Sequence, residues 1–326
     1  MHRLIRSAGL LVALAFGVGV VAAEETVRIA LDWTPNTNHT GIVVAGALGL
    51  FAEEGLKVEI IEPGPTVAIQ LVAAGRAEFG ITSQEYVTVA RSQGLEIVSV
   101  AALYPHNTSG FASPADRGIL SAADLAGARY AGWGSDMEQA MIETVLEAAG
   151  VDSGAVSILN IGTLDFTSAV RLDLADFYWI YYGWQGVHAE LEGIAFDYLP
   201  LAEQAEVLDY YTPVIVVNAR SLVDRPEMVR AVLRALAGGY VDAALDPGGA
   251  GEMLLTYAPE LDRQLVMASQ QWLANESAQS IETWGLQEAS VWIGFAEWAL
   301  EHGVIEQAID GESAYTNAFL PGADDE

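Results

Sequence analysis

Aromatic rings with polar tips concentrate at one place in this chain, Phe177-Tyr-Trp-Ile-Tyr-Tyr-Gly-Trp-Gln-Gly186, where six of ten residues are aromatic. A flat ligand needs such faces to stack on, and polar tips to hydrogen-bond its edge. Tyr178, Tyr181, Tyr182 and Trp184 are the candidates within this stretch. Two loops carry matching types. Asp32-Trp33-Thr34-Pro35-Asn36-Thr37-Asn38-His39 offers Trp33 for stacking, with Asp32, Asn36 and His39 as acceptors and donors. Trp133-Gly134-Ser135-Asp136 places a tryptophan before a helix start, where backbone amides favour an anionic or strongly polar group. Gln84 and Glu85 open another helix, and His106 and Asn107 lie in a polar connection. The chemistry these residues describe is stacking and edge recognition of a small ring.

Each also has a plainer reading. The aromatic run fits a buried strand end, Asp32 can accept from amides of its own loop, and Glu85 can complement a helix dipole. His106 fits a structural or hinge residue. Catalysis has less support: Ser83 and Ser135 sit at helix starts, but neither lies in a G-x-S-x-G elbow or has a histidine beside it in sequence. No GxxxxGK[ST] or GxGxxG run cradles a phosphate, and no HxxxH spacing joins His39 or His106 into a metal site. The chain contains no cysteine, which excludes disulfides, thiolate ligands and a lipid-modified cysteine. The expectation is a binding protein without catalytic residues, metal or cofactor.

The elements that must hold these residues alternate. Thr26–Leu31, Lys57–Ile61, Ala77–Ile81 and Ile97–Tyr104 read as strands, separated by short helices. Ala128–Gly132, Val156–Ile161 and Asp176–Tyr182 repeat the alternation, with Ser135 placed to cap a helix over 137–149. Such order predicts α/β units built on mostly parallel sheets, with ligands beyond the carboxyl ends of the strands. The Asp32–His39 loop and the Thr82–Glu85 turn both fall there. Tyr210–Asn218 reads as a returning strand, and the chain is helical from Pro226, with Trp292 and Trp298 on a packing face.

With 326 residues, two lobes are expected: 24–112 and 213–310 in the first, 113–212 in the second, and 311–326 as a tail. Residues 1–23 have a basic start, an apolar run from Leu10 to Val21 and small residues before Glu24, the pattern of a cleaved secretory signal. The net charge of −30 becomes −32 once Arg3 and Arg6 leave with that segment, which disfavours nucleic acid and anionic membrane surfaces as partners.

Six segments carry a family resemblance: LDWTPNTNHTGIVVA (31–45), FGITSQE (79–85), PHNTSGFASP (105–114), GWGSDMEQAMI (132–142), WIYYGWQGV (179–187) and DYYTPV (209–214). In order and spacing, from about Val27 to Leu300, the chain resembles the thiamine-pyrimidine-precursor proteins, which join bacterial periplasmic receptors to yeast-type pyrimidine synthases. The resemblance implies a periplasmic-binding-protein-like fold: two α/β lobes joined by two strands, with the ligand enclosed in the cleft. It also implies a small-molecule vitamin precursor as ligand and an ABC permease with its cytoplasmic ATPase as partner. An export signal without a lipid-anchor cysteine points to the periplasm or to free secretion, and a monomer is expected. A sibling branch that carries riboflavin is similar in the same motifs. The synthase branch is implied to use an active-site histidine, a pyridoxal-phosphate lysine and a cysteine-rich iron motif. This chain departs from it, having no cysteine and only Lys57.

Overall fold

A computed structural model of the chain describes residues 24–62, 67–162, 164–278 and 280–323. The expected secretory signal lies outside the described residues. Ten strands are described: β1 (Glu25–Ala30), β2 (Leu56–Ile61), β3 (Phe79–Thr82), β4 (Ile97–Ala102), β5 (Ser109–Pro114), β6 (Arg129–Gly132), β7 (Ser157–Asn160), β8 (Tyr178–Tyr181), β9 (Phe196–Pro200) and β10 (Val214–Asn218). The longer helices are α1 (Thr40–Ala47), α2 (Gln84–Ser92), α3 (Asp136–Ala148), α4 (Pro226–Leu245), α5 (Pro247–Tyr257), α6 (Arg263–Ser277) and α7 (Ala289–Glu301).

The first sheet runs β2-β1-β3-β10-β4. β1 pairs in parallel with β2 and β3, while β10 returns antiparallel between β3 and β4. β3 and β4 are buried along their whole length, as expected of strands covered on both faces. The second lobe has the same plan. β5 lies antiparallel between β8 and β9, β6 pairs in parallel with β7, and a parallel bridge from Tyr130 to Phe177 joins the two groups. The resulting order, β7-β6-β8-β5-β9, matches the first sheet position by position, with the antiparallel strand fourth in each.

Three sequence expectations need correction. The polar connection of His106 and Asn107 ends sooner than expected: from Ser109 the chain is already the central strand β5 of the second lobe's antiparallel group. Its sequence, SGFASP, lacks the β-branched residues that mark strands. The strand β9 was not expected at all: FDYLP alternates poorly and is only half-buried. Residues 311–323, expected as a tail, pack onto the first lobe: Tyr315 bridges to Ser99 and Leu320 lies in the first core.

The far half of α7 also departs from the expected division. Trp292 packs in the first-lobe cores, but Phe295, Trp298 and Ala299 pack in the second-lobe core, where the Trp298 indole donates to Thr144 on α3 at 2.8 Å. One helix therefore seals both lobes. We propose that the chain crosses between the lobes at 103–108 and 209–213, with α7 as a third bridge.

Candidate functional site

Two loop ends of the first sheet and three segments of the second unit hold the candidate residues. After β1, Asn36 caps a short 3-10 turn, Thr37–His39: its Oδ1 accepts from the Asn38 amide at 2.9 Å and its Nδ2 donates to the Thr34 carbonyl at 3.1 Å. The Asn36 amide donates to His39 Nδ1 at 3.3 Å, which leaves His39 Nε2 to donate to Asp32 at 2.8 Å. Asn36 and the buried His39 therefore brace the loop, and their polar groups are committed to it. Asp32 stays partly open, and Trp33 projects with 56% of its surface exposed.

At the start of α2, Gln84 proves structural rather than available to a ligand edge. Its Oε1 accepts from the Tyr211 amide at 2.9 Å and its Nε2 donates to the Val291 carbonyl at 3.2 Å, tying the second crossing to α7. Glu85 differs. It is 4% exposed, and its Oε2 makes no hydrogen bond within the protein. Burial foremost pushes its carboxyl up to about 7; Ser83 and its own amide counteract this, and Asp32 adds to it.

In the second lobe, the helix start at Trp133–Asp136 already has its anion. Ser135 caps α3, and Glu138 completes a capping box. Glu138 accepts from Tyr130 at 2.5 Å, from the Trp133 amide at 3.0 Å, and from the Ser135 amide and hydroxyl at 2.8 and 3.1 Å. Gly132 permits this approach, because a Cβ there would come within 1.8 Å of the carboxylate. Gly134 takes a left-handed φ of 78°, against which Asn160 packs closely. The expected polar ligand site at Gly134 and Ser135 is thus occupied by the chain's own carboxylate.

Strand alternation divides the aromatic run. Tyr178 points into a core with Phe166, its hydroxyl bonded to the backbone at Ala169 and Ala175, so it is packing rather than a candidate contact. Trp179 and Tyr181 share the other face. Trp133 stacks on Trp179 with ring centroids 4.9 Å apart, and Tyr181 lies 5.8 Å further along. The indole N–H of the buried Trp179 has no partner within the protein. Trp179 was missed from sequence, though counting by twos from Tyr181 would have found it. Tyr182 and Trp184 turn elsewhere: a π-helical turn, Tyr182–Gly186, carries them onto the first lobe. Tyr182 stacks on Trp272 of α6 and donates to Glu190 at 2.5 Å, and Trp184 packs beside Val43, Leu254 and Val266.

The crossing residues serve as braces. Asn107 donates to the Leu208 carbonyl and accepts from Ser109, while its amide and His106 Nδ1 both donate to Asp209. His106 is largely exposed there. What the fold gathers is a smaller group. The Tyr181 phenol is raised by burial first and then by Glu85 and Asp32. The exposed Tyr86 is raised by desolvation first and then by Glu85, Glu138 and Asp32. Charges from both lobes thus act on shared phenols. Asp32 and Glu85 of the first lobe lie within electrostatic reach of Tyr181 of the second, which sits beside the Trp133–Trp179 stack.

Comparison with known proteins follows this geometry. A family profile described as NMT1/THI5 like matches residues 36–250. A formylaminopyrimidine-binding protein of Halalkalibacterium halodurans is 30% identical over 90% of this chain and 91% of the relative. A 4-amino-5-hydroxymethyl-2-methylpyrimidine phosphate synthase of Legionella pneumophila is 25% identical over 91% of this chain and 93% of the relative. Among solved structures, the periplasmic aliphatic sulphonate binding protein SsuA of Escherichia coli superposes with a TM-score of 0.69, covering 89% of this chain and 91% of that one. At 14% identity that likeness speaks for the fold alone, the two-lobed fold of periplasmic binding proteins.

Proposed function

The chain belongs to the NMT1/THI5-like family, and from that premise we propose that it is the solute-binding protein of an ABC importer, carrying a thiamine pyrimidine precursor of the formylaminopyrimidine type. The observation that supports this reading most is the pairing of an unsatisfied buried acceptor with an aromatic wall. Glu85 Oε2 in one lobe suits a ring amino group, and the Trp179 N–H in the other suits a ring acceptor. Trp133, Trp179 and Tyr181 supply stacking faces, and the exposed Trp33 supplies another from the first lobe. Contacts from both lobes favour a closed state, the form a permease partner would recognise. On this reading the protein is a periplasmic monomer that works without a cofactor. No helix among the described residues is long and apolar enough to cross a membrane.

A carrier fits these residues better than a synthase does. Lys57, the only lysine, lies exposed on β2 and pairs with Glu59 at 3.2 Å. The test is a tryptophan-fluorescence titration of residues 24–326 with formylaminopyrimidine, with riboflavin in parallel, followed by mass spectrometry of the recovered ligand. Saturable quenching by the pyrimidine and its unaltered recovery are expected. Binding of riboflavin alone would replace the ligand, and conversion of the pyrimidine would replace the carrier by an enzyme.

A further inference from the structure

Glu85 is a buried titratable group whose bonding the fold leaves incomplete. Ser83 and the residue's own amide partly offset the burial of its carboxyl, while Oε2 has no donor within the protein. The groups electrostatically coupled to it come from several elements. Asp32, held by His39, lies on the loop after β1, and Tyr86 is on α2 itself. Tyr181 on β8 and Tyr210 in the second crossing complete the surroundings, and both phenols are raised by burial first and by Glu85 next. Arg91, near the far end of α2, is turned to the Ile97 carbonyl and Ser313, and Glu288 before α7 acts on Tyr211. No cation is among the groups that shift Glu85.

Resting on the reading above, we propose that ligand capture is coupled to the release of one proton from Glu85, and that this coupling selects ligands whose edge donates. An amino N–H pointed at Oε2 is accepted more strongly by a carboxylate than by a carboxylic acid. Binding therefore drives the step in which the Glu85 acid and ligand become a carboxylate hydrogen-bonded to the ligand, with one proton passed to solvent. An isoalloxazine edge, a carbonyl on each side of one N–H, would instead set oxygen lone pairs against that carboxylate.

The sign follows from linkage. The free carboxyl stands near 7, and a bound donor lowers it. Affinity then rises with pH by about tenfold per unit while the free site is protonated and the bound site is not. Above the free value it levels off.

Isothermal titration of residues 24–326 with formylaminopyrimidine, from pH 5.5 to 8.5 and in two buffers of different ionisation heat, tests this. The expected result is close to one proton released per ligand near pH 6, falling toward none at pH 8.5. Glu85→Gln should lose that slope, while the ligand's own ring titration stays common to both proteins. Binding without proton release in the unsubstituted protein would overturn the coupling and leave the proposed ligand standing. A full slope retained in Glu85→Gln would also overturn it. The absence of binding at every pH would remove the ligand assignment together with the coupling.

Discussion

Glu138 and Glu85 are both buried acids near a helix start, and their hydrogen bonding separates them. Glu138 accepts from four donors supplied by Tyr130, Trp133 and Ser135, whereas Glu85 keeps one oxygen bare. The first is a structural anion and the second a candidate for recognition. Glu138→Ala takes the acceptor from all four donors, the buried Tyr130 hydroxyl among them, so it should lower unfolding stability by about 3 kcal/mol. Glu138→Gln should cost roughly half as much, because its amide oxygen still accepts while its NH2 faces donors. Urea denaturation checks both, and equal stability of Glu138→Ala and the parent would refute the assignment. Four of the ligand candidates share one feature. Asn36, Gln84, Asn107 and Tyr178 carry polar groups in positions that chain geometry already requires to be satisfied.

At the scale of elements, the π-helical turn Tyr182–Gly186 is the piece that reaches between lobes. The Ser269 hydroxyl on α6 donates to the Gly183 carbonyl, and Thr37, in the turn after the Trp33 loop, donates in turn to Ser269 at 2.5 Å. This relay ties the first-lobe ligand loop to the second lobe without touching the proposed ligand position. Ser269→Ala removes two buried hydrogen bonds while keeping the helix. It should weaken pyrimidine affinity by about five- to tenfold, the equivalent of roughly 1–1.4 kcal/mol. Hydrogen exchange across 182–186 should quicken in the same variant. Unchanged affinity together with unchanged exchange would show that the turn does not contribute to closure.

At the scale of the whole molecule, charge and topology dominate. The excess of thirty negative charges repels itself, and salt screens that repulsion within a Debye length. Screening also weakens exposed pairs such as Arg263–Glu252, but these are worth little, so net repulsion decides the sign. Raising KCl from 0.05 to 1 M should therefore raise the melting temperature by several degrees; a fall would mean that the ion pairs outweigh the repulsion. On the proposed division, α7 packs into the cores of both lobes beside the two crossings.

The amino-acid sequence by itself determined the α/β alternation, the strand ends that carry the loops, and the Ser135 cap. Local periodicity and capping chemistry act over a few residues and are written in them. It also sufficed for the family resemblance. Tertiary structure decided which groups are still available. Whether Gln84 is satisfied depends on Tyr211 and Val291, more than a hundred residues away in each case. That Trp179 rather than Tyr178 faces Trp133 depends on the register of β8 against β5, and a one-residue slip would exchange them. The strand β5, poor in strand-forming residues, exists because β8 and β9 pair with it on both sides.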